Sequence, residues 1–141
     1  MNDRFKFRVW DKGNEHYVDC ADMLYIEPSG EITYACYDGD REDMYYYEQN
    51  DVVIEQCTGL RDKNGKLIYE GDIVTKEFTD RPFSNKAKSK MKNCSVYWHK
   101  KGEFLFKYKN DKYKYYSVPY DSFIGDCEII GNIHENPELL E

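Results

Sequence analysis

Residues 58–74, which read TGLRDKNGKLIYEGDIV, decide the fold. Asn64 and Gly65 lie at the centre of this stretch, and the apolar residues 67–69 follow them. Asn-Gly is the strongest short-range signal for a two-residue hairpin turn, because both central residues of that turn have positive φ. Gly71 predicts a second turn before the next apolar run. The stretch therefore predicts short antiparallel strands joined by tight turns.

Strand signals extend from this stretch toward both ends of the chain. They are runs of alternating apolar and polar side chains, or runs rich in aromatic and β-branched residues. They lie at residues 4–10, 17–18, 23–26, 32–36, 52–57, 95–99, 103–108, 113–118 and 127–133. Helical character is confined to a turn that starts at Pro137, and Asn136 is expected to cap it. The sequence thus predicts a mostly β fold of antiparallel strands with little helix.

Two polar segments interrupt these strands. Residues 38–43 are rich in Asp and Glu and predict an acidic loop. Residues 79–93 contain Pro82 and several Ser and Asn residues, and they predict a long exposed loop. Lysine occupies every second position of residues 86–92 within that loop. We interpret this lysine-rich segment as a solvated loop, with an acidic partner, either a phosphate group or a protein, as the alternative.

Bulk composition places the chain among globular proteins. Its 141 residues, 40% hydrophobic and 33% charged, fit one domain over residues 1–141, with 1–57 and 58–141 as its two parts. No apolar run approaches the roughly 20 residues that span a bilayer, and the N-terminus lacks the pattern of a signal peptide. The five cysteines are odd in number and widely spaced, which favours reduced thiols in a cytoplasm.

The net charge of −7 is unevenly distributed along the chain. Residues 76–116 contain 12 Lys and Arg against 4 Asp and Glu, which gives +8. The remainder contains 8 against 23, which gives −15. A division this large predicts two electrostatic faces, unless folding mixes the two regions.

Three stretches together resemble the YopX family of phage and prophage proteins. They are residues 7–11 (FRVWD), 58–74 and 130–137 (IGNIHENP). The resemblance implies an all-β-dominated fold, an SH3-like barrel in the C-terminal half and a location in the cytoplasm of a bacterial host. It implies no activity and no catalytic residue, because the family is known as uncharacterised. Residues 38–50 and 79–93 match no part of the family pattern.

No pattern in the sequence indicates catalysis. Residues 62–65 begin like a calcium loop, but glycine falls at position four instead of six, and Ile73 stands where the loop needs glutamate. No two cysteines have the spacing of a zinc site, and no glycine-rich loop precedes a helix. His16 and Cys20 are four residues apart and would align only on a helix. We therefore predict no enzyme activity, no metal and no cofactor.

A basic, aromatic-rich segment at 98–116 is the most specific candidate for binding. A surface that binds single-stranded nucleic acid pairs cations, which follow the phosphates, with rings that stack on bases. The candidate nucleic-acid-binding residues are Trp98, Lys100, Lys101, Lys107, Tyr108, Lys109, Lys112 and Lys114. The same alternation is typical of any strand with one buried and one solvated face, and lysines on exposed strands also discourage aggregation.

The sequence thus favours an uncharacterised phage or prophage accessory protein that acts as a non-catalytic protein-interaction module. Its partner would be an unknown protein, or a second copy if the acidic residues 38–43 dock on a basic patch. A single-stranded or non-specific nucleic-acid binder that uses residues 98–116 is the alternative. No membrane partner is expected.

Overall fold

The computed structural model describes residues 3–18, 24–29, 31–38, 41–47, 51–79, 85–86, 88–108, 115–117 and 126–141. Regular structure in these ranges consists of antiparallel strands and two 3-10 helices, with no α-helix. The predicted mostly β fold is therefore confirmed. The chain divides into a main unit (Met1–Phe7 and Gln56–Glu141) and an N-terminal unit (Arg8–Glu55). The single-domain organisation stays a prediction.

The N-terminal unit contains a small hairpin and a three-stranded meander. Its strands are β1 (Phe7–Asp11), β2 (His16–Tyr17), β3 (Leu24–Ile26), β4 (Ile32–Asp38), β5 (Arg41–Tyr47) and the start of β6 (Val52–Arg61). Trp10 pairs with Tyr17 across the turn between β1 and β2. The Asp11 carboxylate fixes that turn, because its Oδ1 accepts hydrogen bonds from Gly13 N at 2.8 Å and Asn14 N at 3.0 Å.

The main unit is built on a curled five-stranded sheet. Its further elements are β7 (Leu67–Tyr69), β8 (Asp72–Thr79), β9 (Ser89–His99), β10 (Glu103–Lys107), β11 (Tyr115–Ser117), β12 (Glu128–Asn132) and the 3-10 helices Asp3–Phe5 and Pro137–Leu140. The strand order is β11-β10-β9-β8-β12, and every neighbouring pair is antiparallel. The end of β6 pairs with β7. The SH3-like barrel stays a prediction.

One face of the five-stranded sheet carries the apolar core of the main unit. Its buried members are Ile68, Val74, Cys94, Val96, Phe106, Tyr108 and Cys127. Successive side chains of a strand point to opposite faces, so Cys94 and Val96 identify the core face of β9. Phe106 is the largest fully buried side chain. Its truncation to alanine would cost about 3–5 kcal/mol.

The predicted loop at 79–93 is wrong in extent. β8 continues to Thr79 and β9 begins at Ser89, with Thr79 paired to Ser89. Lysine at every second position is compatible with a solvated loop. Within residues 89–92, however, it reflects the alternation of side chains between the two faces of a strand. The predicted acidic loop at 38–43 is also wrong in extent, because Asp38 ends β4 and Arg41 begins β5.

Three local predictions differ from the structure. Phe5 lies in a 3-10 helix, and β1 begins only at Phe7. Gly65 has φ of 80°, but Asn64 does not have positive φ, so the turn is the three-residue type in which glycine alone adopts the left-handed conformation. Asn136 precedes the predicted helical turn, but its side chain donates or accepts no capping hydrogen bond there.

Candidate functional site

The predicted nucleic-acid-binding residues do not form one surface. Trp98 is 42% exposed, and Lys100, Lys101 and Lys107 are exposed at the turn between β9 and β10 and on β10. Tyr108 is only 6% exposed and belongs to the apolar core. A ring in the core cannot stack on a base, so Tyr108 is a structural residue. Residues Lys109, Lys112 and Lys114 lie outside the described part of the chain.

Trp98 and Lys107 lie on opposite faces of the sheet. Trp98 shares the core face of β9 with Val96, and its ring packs edge-on against Phe104 with centroids 4.7 Å apart. Lys107 lies between the core residues Phe106 and Tyr108 in sequence, so it points to the other face. The sequence pattern brought these residues together along the chain, whereas the sheet separates them.

The Asp62 carboxylate organises the central hairpin. Oδ1 accepts hydrogen bonds from Asn64 N and Lys66 N, both at 2.9 Å, and Oδ2 accepts one from Ile129 N of β12 at 3.1 Å. Burial raises the pKa of this carboxyl, but the three backbone donors outweigh burial and hold the pKa below 3.8. The residue that resembled a calcium ligand is a structural anion.

Neighbouring polar residues of the same stretch also stabilise turns. Thr58 Oγ1 donates to Ile68 O at 2.8 Å and accepts from Leu60 N at 3.1 Å. The Asp72 carboxylate accepts from Tyr69 N at 2.8 Å. These contacts join β6, β7 and β8 through side chains.

The C-terminal stretch 130–137 is held in the same way. Asn132 Oδ1 accepts from His134 N at 3.0 Å and from Glu135 N at 2.9 Å. A Cβ atom added at Gly131 would lie 2.5 Å from Asn136 Oδ1, so only glycine fits at this bulge of β12. The stretch is therefore built for close backbone packing.

The N-terminal unit contains a buried charge cluster. Glu55 is 1% exposed, and its Oε2 accepts from Arg8 Nε at 2.6 Å and from Tyr17 Oη at 3.0 Å. The Arg8 guanidinium also lies 4.6 Å from the centroid of the Tyr17 ring. Such a network is costly to interrupt because the carboxylate is desolvated. These contacts bind β1, β2 and β6 together.

The thiols of the main unit are poorly suited to nucleophilic chemistry. Cys57, Cys94 and Cys127 are free and buried. Burial raises the pKa of the Cys94 thiol to about 12, and burial also raises the pKa of Cys127. A thiol reacts as its thiolate, so the raised pKa values of Cys94 and Cys127 disfavour their reaction near neutral pH. Nearby, burial lowers the pKa of the Lys76 ammonium.

The described residues contain no cluster of three or more His, Cys, Asp or Glu side chains that could hold a metal ion. Within the same ranges, no helix is long and apolar enough to cross a membrane.

Two exposed phenylalanines lie on a fixed segment at the start of the main unit. Phe5 is 67% exposed and Phe7 is 43% exposed. The intervening Lys6 donates its N–H to Asp3 O at 3.0 Å, and its carbonyl accepts from Cys57 N at 2.9 Å. The strand signal at residues 4–10 does not reveal that these two rings are exposed. Apolar residues at every second position, such as Phe5 and Phe7, are just as typical of a strand that buries these side chains.

Charged residues of both signs neighbour the two phenylalanines in the same segment and on β6. Asp3 forms ion pairs with Lys6 at 2.8 Å and with Arg61 at 2.9 Å. Arg61 also donates to Gly65 O at 2.8 Å, which ties this segment to the central hairpin. We call Phe5 and Phe7, together with the neighbouring charged residues Asp3, Lys6 and Arg61, the aromatic patch.

A model of the YopX protein family matches residues 6–141 of the chain. The chain belongs to the YopX family. Two solved structures agree with this assignment. Protein yopX from Bacillus subtilis is 26% identical, with a TM-score of 0.65 and full coverage of both chains. Protein EF1440 from Enterococcus faecalis is 27% identical, with a TM-score of 0.54 and coverage of 96% of this chain and 97% of the other.

Comparison with curated proteins gives no match. The family resemblance seen in the sequence is confirmed by the family model, whose match over residues 6–141 includes residues 7–11, 58–74 and 130–137 in full. In this YopX family member, residues 58–74 and 130–137 build turns and strand contacts. The side chains of Thr58, Asp62, Asp72 and Asn132, which lie in these two stretches, are thus structural in this chain.

Proposed function

We propose that this YopX family member is a non-catalytic protein-interaction module of a phage or prophage, acting in the cytoplasm of the bacterial host. The observation that carries the proposal is the aromatic patch. Exposed rings on a fixed backbone lose little conformational entropy on binding, and aromatic residues dominate the energetics of protein interfaces. A rim of charged groups around an apolar centre is the usual anatomy of such an interface.

The non-catalytic part of the proposal is supported by the roles of the buried polar groups. The carboxylates of Asp11, Asp62 and Asp72 accept backbone hydrogen bonds in turns. Glu55 binds Arg8 and Tyr17. Active sites leave titratable groups oriented toward a substrate, whereas these groups are directed into the fold. The buried, reduced thiols support a cytoplasmic location.

A second copy of the chain is the first partner to test. The aromatic patch includes both signs of charge, with Asp3 beside Lys6 and Arg61. A patch with this composition is complementary to itself under twofold rotation, since the anion of one copy can meet a cation of the other. An exposed apolar patch is also the feature that most often marks an interface.

Sedimentation equilibrium tests this partner. The wild type is compared with a Phe5→Ser/Phe7→Ser variant and with a control, Met91→Ser, which removes another exposed hydrophobic side chain (56% exposed). We expect the wild type and the control to associate and the double variant to remain monomeric. Capture from host cells with the same three proteins tests a different protein partner. Equal capture by all three would contradict the role of the aromatic patch.

The geometry supports nucleic-acid binding through residues 98–116 less well. Tyr108 is in the core, and Trp98 and Lys107 lie on opposite faces of the sheet. Among the described candidate lysines, Lys100 and Lys101 are exposed at the turn that follows Trp98. This alternative predicts that substitution of those two lysines abolishes binding to a single-stranded oligonucleotide.

A further inference from the structure

The outer half of the β8–β9 hairpin extends past the strands on either side of it. β10 pairs with residues 95–99 of β9, and β12 pairs with residues 72–75 of β8. Beyond those limits, residues 76–79 and 89–92 pair with each other. In the described pairings this part of the main unit is therefore a two-stranded ribbon.

One face of the ribbon is cationic. Lys90 and Lys92 follow the same alternation as the core residue Cys94, and Lys88 immediately precedes the strand. We call Lys88, Lys90 and Lys92 the lysine face. Met91, which pairs with Glu77, points to the opposite side. The sequence from residue 85 to residue 92 contains four lysines and no acidic residue.

The innermost lysine is held against a ring. Lys92 Nζ lies 4.6 Å from the centroid of Tyr108, a cation–π contact that limits its motion. A groove of about 220 Å³ adjoins this contact and is lined by Lys90, Met91, Lys92, Asn93, Tyr108, Leu139, Leu140 and Glu141. The amide of Asn93 donates to Leu139 O at 2.9 Å and closes one side of the groove.

We propose that the lysine face binds the phosphate backbone of a nucleic acid. Alternate residues of a strand are about 6.6–6.8 Å apart, and phosphates along one strand of B-DNA rise about 3.4 Å each, so successive lysines match about every second phosphate. A two-stranded ribbon also fits the major groove of a duplex. This inference goes beyond the proposed function, because it uses a different surface from the aromatic patch.

The charge of the whole chain does not oppose short-range contact. The net charge is −7, but charges beyond about 10 Å are largely screened at 0.1 M salt. Residues 85–92 contain four lysines and no acidic residue, so their charge acts at contact distance. Single-stranded and double-stranded nucleic acids present the same phosphate chemistry, and the salt dependence separates them.

Counterion release gives the expected salt dependence. Three phosphate contacts predict a slope of log K against log salt of about −2.7 for a duplex and about −2.1 for a single strand. A fourfold rise in salt concentration then weakens binding by about 40-fold for the duplex and about 20-fold for the single strand. Each lysine removed should reduce the slope by about 1.

Fluorescence anisotropy with a labelled mixed-sequence duplex and the matching single strand tests the proposal. The lysine-face variant is K88Q/K90Q/K92Q, and its matched control is K100Q/K101Q/K107Q, which removes the same charge from exposed positions of the same unit. We expect the first variant to lose salt-dependent binding and the control to retain it. Because Lys92 contacts Tyr108, K88Q/K90Q serves as a second variant that leaves this contact intact and should lower the slope by about 2.

Four outcomes would overturn the proposal. The wild type would bind neither oligonucleotide at low salt, or the two triple variants would lose affinity equally, which would indicate a general charge effect. Alternatively, polyglutamate of matched charge would displace the oligonucleotide as well as unlabelled nucleic acid does, which would assign the lysine face to an acidic protein. Finally, K88Q/K90Q would retain the wild-type slope of log K against log salt, which would show that Lys88 and Lys90 do not contact phosphates.

Discussion

Replacing Asp62 by alanine removes the acceptor for three backbone donors, Asn64 N, Lys66 N and Ile129 N. A hydrogen bond to a charged group contributes about 1.5–3 kcal/mol, and the donors left behind lose their partner in a buried turn. Since the contributions overlap and water can reach part of the turn, we take the lower end of the range for each. The expected loss is about 4 kcal/mol in the free energy of unfolding.

Urea unfolding followed by circular dichroism measures this loss. Asp62→Asn should lie between the wild type and Asp62→Ala, at about 2 kcal/mol. The amide oxygen of the new side chain can still accept the hydrogen bonds from Asn64 N and Lys66 N. Its NH2 group would face the Ile129 N–H, and because both are donors, that hydrogen bond would be lost. Glu128→Gln is the matched control, because Glu128 is half exposed and pairs with Lys63 at the surface, where such pairs contribute about 0–1 kcal/mol.

The pH dependence provides an independent check on Asp62. Its pKa in the folded chain is below 3.8, so the carboxylate contributes stability at pH values above its unfolded pKa and loses that contribution as pH falls through the folded pKa. The difference between the wild type and Asp62→Asn should therefore be constant near neutral pH and shrink below about pH 4. An Asp62→Ala variant within about 0.5 kcal/mol of the wild type, or a pH-independent difference, would refute this reasoning.

Three further predictions concern other sites. Gly131→Ala places a Cβ atom 2.5 Å from Asn136 Oδ1, so the melting temperature should fall, and a second substitution, Asn136→Ala, should restore part of it in a scanning fluorimetry experiment. Glu55→Ala removes the buried carboxylate that Arg8 contacts at 2.6 Å and should cost about 3–5 kcal/mol, whereas Glu55→Gln should cost less in the same urea assay. Cys94, with its pKa raised to about 12, should be alkylated at about pH 8 only as fast as the main unit opens, and mass spectrometry would detect rapid native-state labelling if this is wrong.

The sequence predicted the strands and turns with strong local signals. The structure contains the turns that are marked by Asn64 with Gly65 and by Gly71. It also contains β10 where the sequence has the strand signal at residues 103–108. Turn chemistry is local, because the φ preference of glycine and the side-chain acceptors of Asp act within a few residues. These elements therefore need no knowledge of the rest of the chain.

The candidate site was less predictable because it depends on strand pairing. Alternation shows that Trp98 and Lys107 belong to strands, but it does not show that the register of β9 and β10 sets them on opposite faces. Nor does it show that Tyr108 joins the core. The Ser and Asn residues near the lysines of residues 88–92 favour a loop in the sequence. In the structure, pairing with β8 extends β9 over this segment instead.

The most direct test of the central claim, that the aromatic patch is where this protein contacts a partner, is photo-cross-linking in host cells. A photoreactive phenylalanine analogue replaces Phe5 in one protein and Met91 in another, and adducts are resolved by mass spectrometry. We predict a defined protein adduct, either a second copy or a host or phage protein, from position 5 and none from position 91. No adduct from position 5, or the same adducts from both positions, would contradict the account.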